Sequence, residues 1–218
     1  MEEYTYRTAN TVDIPFIADV IIAAEKGAST TLGFSTLFNI PEEKVKEFIV
    51  SMLEEEIDGC EFSLSSFHLV IFEGKPVVGV SSWVEAHDNL PSKILKSNLL
   101  SFTFPPENME YFRTKAHLMQ GMTVEREPET LQFEYGFTSR EHRGKRVLFS
   151  LMEQIFAETK REFPEVKKAQ VQCFSNNQPS INLLTNLGFE ITRSVRTDNP
   201  EVLGVLPFNE KLLLEKYL

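Results

Sequence analysis

Apolar and polar positions along the chain change period several times, and each change marks an element. From Leu131 to Phe137 apolar and other residues alternate with period two, the pattern of a strand. Ten residues later Val147, Leu148, Leu151, Met152, Ile155 and Phe156 recur on one helical face, until Phe163-Pro164 stops them. Tyr4 to Thr8 predicts a short first strand. Asp13 then stands as an N-cap with Pro15 in the first turn of a helix whose apolar face is Ile14, Ile17, Ile21 and Ile22. Lys26 to Thr36, rich in Gly, Ser and Thr, predicts a loop. Pro41-Glu-Glu-Lys opens a second helix with Val45, Phe48, Ile49, Met52 and Leu53 inward.

Ser66 to Phe72 and Val77 to Trp83 are strand-like runs joined by Glu73-Gly74-Lys75-Pro76, a hairpin signal. Residues 87–130 form a long connection of little strand character, with helical pieces around Leu95 and Leu99 and around Met109 and Phe112, divided by Pro105-Pro106. It reads as an insertion that packs over a site or against a partner subunit. Lys168 to Phe174 predicts a strand, Asn177 starts a helix that Gly188 ends, and Phe189 to Val195 and Glu210 to Tyr217 supply the last strands. The order predicts one mixed α/β domain over residues 1–218 with a sheet of six or seven strands.

Composition narrows the partners. The chain of 218 residues carries 22 Lys and Arg against 32 Asp and Glu, a net charge of −10, which argues against nonspecific binding to nucleic acid or to an anionic membrane. No apolar run approaches the roughly 18–20 residues of a membrane span, and Met1-Glu-Glu-Tyr lacks the pattern of a secretion signal. The two cysteines, Cys60 and Cys173, make neither a metal knuckle nor a disulfide framework, and the four histidines show no metal-binding spacing. The expected setting is the cytoplasm, with no metal.

Against that acidic background one basic turn stands out: Arg140-Glu-His-Arg143-Gly144-Lys145-Arg146, between the strand ending at Phe137 and the helix opening at Val147. A helix that starts behind such a turn presents unpaired amides and the positive end of its dipole to one small volume, where a phosphate is favoured. A solvated basic loop is the plain alternative.

The element order, with Phe137-Thr-Ser-Arg-Glu-His-Arg143-Gly144-Lys145 and Asn177-Gln-Pro-Ser180-Ile-Asn-Leu-Leu184-Thr-Asn-Leu-Gly188-Phe189-Glu190, resembles the GNAT superfamily of acyl-CoA-dependent N-acyltransferases. The likeness covers nearly the whole chain outside residues 87–130. It implies a mostly antiparallel sheet with helices on both faces, acetyl-CoA as cosubstrate, and an amine of a small molecule or protein as acceptor. It also assigns Phe137, Thr138, Arg143, Gly144, Lys145, Arg146, Val147, Leu148, Asn177 and Ser180 to cofactor binding. Arg146 and Leu148 stand where the family's loop usually has glycine or alanine. Leu184 takes the place of a tyrosine that serves as general acid, leaving Tyr135, another tyrosine or water for that role. Homodimer formation is left open.

Transfer to an amine of ordinary pKa near 10 requires a base near pH 7 and donors for a developing oxyanion. The resemblance implies that backbone amides near Phe137 and Thr138, at a bulge, supply the donors. Alternation places Glu134 on one face with Gln132 and Thr138, opposite Phe133, Tyr135 and Phe137, and nominates Glu134 as the base, with His142 as the alternative. Phe102, Phe104, Met109, Phe112 and Met119 either line an acceptor pocket or form core. Two rival readings stand beside the acetyltransferase. One is a GNAT-like module that binds acyl-CoA without turnover; the other is an α/β domain for a different phosphate ligand.

Overall fold

The computed structural model describes residues 4–218, so Met1 to Glu3, part of the argument against a secretion signal, lie outside the described residues. Seven strands form one sheet: β1 (Thr5–Thr8), β2 (Phe67–Phe72), β3 (Lys75–Val84), β4 (Leu131–Thr138), β5 (Lys168–Phe174), β6 (Glu190–Arg196) and β7 (Glu210–Tyr217). Their order across the sheet is β1-β2-β3-β4-β5-β7-β6, antiparallel except for the β4–β5 pair. Among the described residues no helix is long and apolar enough to cross a membrane.

Helices cover both faces. On one lie α6 (Val147–Glu162) and α7 (Gln178–Asn186). The stripe Val147, Leu151, Met152, Ile155 and Phe156 packs on Val70, Val78, Val80, Leu131 and Phe133, because each of these strands turns its apolar alternation that way. On the other face lie α1 (Ile14–Lys26), α2 (Gly33–Phe38), α3 (Glu42–Glu54), α4 (Ser92–Thr103) and α5 (Pro106–Met119). Phenylalanines join these helices: Phe38 stacks on Phe104 and Phe112 at 4.5 and 4.7 Å, and Phe48 on Phe104 at 4.8 Å. Residues 87–130 therefore fold back onto α2 and α3, and Phe104 is core while Phe102 is 75% exposed.

Two local expectations change. The predicted loop from Lys26 to Thr36 gives way to α2 at Gly33, since Phe34, Leu37 and Phe38 bury one helical face that the polar composition of the segment hides. Asp13 precedes α1 but makes no side-chain cap to it. Its carboxylate accepts from Arg7 at 2.6 and 2.8 Å and from the Asn10 amide at 2.9 Å, closing a capping box around Asn10 one turn earlier.

The sheet opens at its centre. Parallel β4 and β5 pair only at Leu131–Ala169, Gln132–Gln170 and Phe133–Val171, although both strands continue. Just beyond, β4 slips against β3: Ser81 faces Glu134 but Gly79 faces Phe137, so Tyr135 and Gly136 together oppose Val80. The bulge expected near Phe137 and Thr138 thus lies two residues earlier, with Tyr135 at φ +54°. A buried amide network pins the closed end: Gln132 Nε2 donates to Gln170 Oε1 at 2.8 Å, and Gln170 Nε2 donates to Glu215 Oε1 at 2.8 Å.

Replacing Asp13 with Ala should lower stability by about 1–3 kcal/mol at neutral pH. Its hydrogen bond from Arg7 outweighs burial and holds the carboxyl below its ordinary value. That contribution is present above the unfolded pKa and lost as pH falls through the folded one, so the gap between wild type and variant should narrow below about pH 4. Urea unfolding across pH measures it; a gap constant down to pH 2 would contradict this account.

Candidate active site

A cavity of about 660 Å³ occupies the opening between β4 and β5 and extends under α1, α4 and α5. Its floor is Val80, Phe133, Tyr135 and Gly136, with Leu148 and Met152 of α6 and Asn177, Ser180 and Leu184 of α7 on one side. Met109, Phe112 and Met119 from residues 87–130 close the other side, so these three do line a pocket.

The basic turn joins two segments that line the cavity, β4 through Gly136 and α6 through Leu148, while Phe137, Thr138, Arg143, Gly144, Lys145, Arg146 and Val147 do not line it themselves. Arg143 follows a 3-10 turn over Arg140–His142, and its Nε donates to the Thr138 carbonyl at 3.1 Å, tying the turn to the end of β4. Gly144 adopts φ +76° on the exposed surface of the turn, and a β-carbon there would meet nothing within 4 Å, so the backbone is open to close approach at this point. Arg146 enters α6 at φ +58°, ψ 19°, a left-handed conformation in which a glycine would be unstrained. Its guanidinium lies 4.1 Å over the Phe149 ring. Among the described residues no side chain caps α6, and the first-turn amides of Val147, Leu148 and Phe149 have no intrahelical acceptor. Asn177 caps α7 through the Ser180 amide at 3.4 Å while also lining the cavity. Beyond Phe133 the β5-facing edge of β4, including Phe137 and Thr138, pairs with no strand.

The bulge rearranges the chemistry. Alternation predicts Tyr135 opposite Glu134; the left-handed turn at Tyr135 instead packs its ring on Phe62, on the α1 side with Glu134. The Tyr135 phenol is pushed well above its ordinary pKa by burial and by Glu25, Glu61 and Glu134, so it stays a proton donor at neutral pH. His142 is buried elsewhere, with Nδ1 2.9 Å from the Tyr4 hydroxyl and its ring edge-on to Phe72.

Glu134 does reach the cavity, with Oε1 2.8 Å from Arg126 Nη2. Arg126 also meets Glu61 at 3.3 Å, and Glu61 meets Lys96 at 2.8 Å. Burial alone would raise the Glu61 carboxyl, yet Lys96 and Arg126 hold it down at about 2. Glu25, near the end of α1, is different. It lines the same cavity and makes no hydrogen bond or ion pair among the described residues, and its Oε2 lies 3.1 Å from where a Gly33 β-carbon would be. Burial, reinforced by Glu134 and Glu61 and opposed by Lys96 and Lys211, raises its pKa. The sequence carries a signal for it: Glu25 falls on the stripe Ile14, Ile17, Ala18, Ile21, so it is a carboxylate on an apolar helix face. Cys173 also lines the cavity, its thiol pushed up to about 11 by burial and Glu134. Among the described residues no three His, Cys, Asp or Glu gather where they could hold a metal ion.

No family model and no curated protein matches the chain. Solved structures do. An N-acetyltransferase from Staphylococcus aureus Mu50 superposes with a TM-score of 0.68 at 16% identity, covering 97% of this chain and 100% of that one. A Drosophila melanogaster polyamine N-acetyltransferase that forms N-acetylagmatine gives 0.57 at 15%, covering 99% and 100%. The ribosomal-protein-S18-alanine N-acetyltransferase of Escherichia coli gives 0.52 at 12%, covering 99% and 94%.

Arg146→Val should cost about 1–2 kcal/mol, because a β-branched residue resists the left-handed region. Arg146→Gly should stay within about 1 kcal/mol of wild type, as relieved strain offsets the lost ring contact and the added chain entropy. Chemical denaturation of both variants checks the order; Val tolerated better than Gly would refute the assigned conformation. The sheet split beside an uncapped helix, with these full-length superpositions, establishes that the chain has the GNAT fold.

Proposed function

We propose that the protein is an N-acetyltransferase that moves an acetyl group from acetyl-CoA to an amine by direct transfer. One observation carries this reading: a single cavity in the gap between β4 and β5 reaches from Leu148, in the first turn of α6, to Glu25, a half-buried carboxylate with no ion pair or hydrogen bond among the described residues. The residues at hand fit the cosubstrate. The open backbone at Gly144, the amides of Val147, Leu148 and Phe149, and the cations of Arg143, Lys145 and Arg146 suit a diphosphate. The opening past Phe133, flanked by Leu148, Asn177, Ser180 and Leu184, suits a narrow pantetheine arm.

Acetyl-CoA supplies an acyl carbon activated as a thioester, on which the C–N bond forms as the C–S bond breaks, releasing thiol and one net proton. Glu25 accepts the proton of the incoming ammonium, which its raised pKa and freedom from an ion pair favour. Glu134, bound to Arg126, is the other carboxylate at hand, and its charge is among the causes that raise Glu25. Amides on the β5-facing edge of β4 past Phe133, free of a strand partner, suit donation to charge developing on the acyl oxygen. Tyr135 is the proton donor nearest in role to the tyrosine that Leu184 replaces. Cys173, with its raised pKa, is a weak nucleophile, which favours transfer without an acyl-enzyme. This reading places the protein in the reducing cytoplasm, where the thiols of Cys60 and Cys173 stay unpaired.

A second reading, an acyl-CoA-binding module without turnover, is favoured by Leu184, buried where the family has its general acid. Thiol release from acetyl-CoA across an amine panel separates the two. Glu25→Gln should lower the rate about 10²–10⁴-fold and leave thermal stabilisation by CoA intact. Glu134→Gln losing more than Glu25→Gln would make Glu134 the base, and CoA binding without thiol release on any amine would favour the module. Arg143→Glu with Arg146→Glu should abolish the CoA-induced shift, which in wild type reaches about 2.7 kcal/mol at a hundred times Kd; a retained shift would move the phosphate site elsewhere.

Glu25→Gln should also stabilise the apoprotein at neutral pH. The folded state raises this carboxyl, so ionising it costs folding energy that appears as pH climbs above the ordinary value near 4.5. The variant's advantage should vanish at low pH, as scanning calorimetry can measure; a neutral-pH loss of stability would contradict the assignment.

A further inference from the structure

The charged side chains of the cavity do not all satisfy one another. Lys93 pairs with Glu125 at 2.7 Å, and Glu61 and Glu134 share Lys96 and Arg126. Glu85 accepts from Trp83 Nε1 at 3.0 Å, the Ser92 amide at 2.9 Å and Ser92 Oγ at 2.6 Å. Two groups of opposite sign are left. Glu25 has no ion pair or hydrogen bond among the described residues, and neither does Lys211, whose ammonium lies 5.4 Å from the centre of the Phe174 ring.

Lys211 stands on β7 opposite Phe174 of β5 and Val195 of β6, with its side chain on the cavity side, since Leu212 and Leu214 take the α6 face. Burial lowers its pKa against the pull of Glu134 and Glu25, and Lys211 in turn counts among the charges acting on Glu25. The two lie in one field without pairing with each other. Both are half-buried, and the part of each charge that the cavity walls shield from water gains no protein partner among the described residues in return. A ligand of matching charges bridging them relieves both at once.

We propose that the acceptor is a zwitterion, a primary amine that also carries an anionic group, in its simplest form a carboxylate, with the ammonium at Glu25 and the anion at Lys211. The inference rests on the acyl-transfer reading and sets the substrate class of that same site. It also separates this protein from polyamine enzymes of the same fold. A polyamine would bring its second cation towards Lys211, with Lys96 and Arg126 in the same cavity and their carboxylates already engaged.

The test uses α-, β- and γ-amino acids, their carboxamides, agmatine and spermidine, titrated calorimetrically into the CoA-bound protein. The amino acid of best spacing should bind about tenfold or more tighter than its carboxamide and than either polyamine. Lys211→Met should bring the acid-to-amide ratio to about one, and Lys211→Arg should keep the preference. Carboxamides or polyamines binding as tightly as the acids at every spacing, or a preference that survives Lys211→Met, would overturn the proposal. Thiol release is followed separately with acetyl-CoA. The expected binding pattern without thiol release leaves the zwitterion site standing and sinks the acyl-transfer reading. Thiol release with polyamines and not with amino acids does the reverse.

Discussion

A parallel pair of strands that stops pairing after three residues is the constraint on which the remaining structure depends. β4 and β5 cannot separate without leaving backbone groups unmatched, and buried unmatched groups are costly. The chain meets this constraint twice. At the closed end, Gln132 and Gln170 link side chains across the pair. At the open end, the bulge at Tyr135 and Gly136 turns β4 away from β5 while it keeps its ladder with β3. From that one separation follow a narrow gap beside the start of α6 and a wider chamber beneath α1.

The same bulge decides which side chains meet. By swinging Tyr135 to the α1 side, it sets a phenol, Glu134 and the Glu25 carboxylate around one volume. The chamber holds nearly equal numbers of acids and bases, so its electrostatics turn on pairing rather than on net charge. Arg126 is central: it binds Glu61 and Glu134, lies 4.9 Å over the Trp83 ring and contacts Ser92 Oγ at 3.2 Å. With those acids paired, Glu25 is the carboxylate left without an ion pair among the described residues, and burial together with the charges of Glu134 and Glu61 raises its pKa.

Much of the fold was legible because its signals are local. The period-two run at Leu131, the helical stripe from Val147 and the hairpin at Glu73-Gly74 all stand within a few residues of their observed elements. The basic turn between the strand and the helix was legible for the same reason. What escaped was whatever depends on register between distant segments. Strict alternation assigns Tyr135 to the wrong face, because a bulge is a two-strand event involving Val80. It nominates Glu134 without its partner Arg126, which arrives from the end of the 87–130 segment. Glu25 and Lys211 were open to notice as charges in apolar stripes, beside Ile21 and Leu213. Their convergence needed the sheet order that brings α1 and β7 to one chamber.

A crystal structure of the protein with CoA is the most direct test of the central claim. The account predicts the diphosphate within hydrogen-bond distance of the α6 first-turn amides, close to the Gly144 backbone, with the pantetheine passing between β4 and β5 and its sulfur opening into the chamber of Glu25 and Tyr135. A diphosphate bound away from α6, or a thiol that emerges outside that chamber, would contradict it.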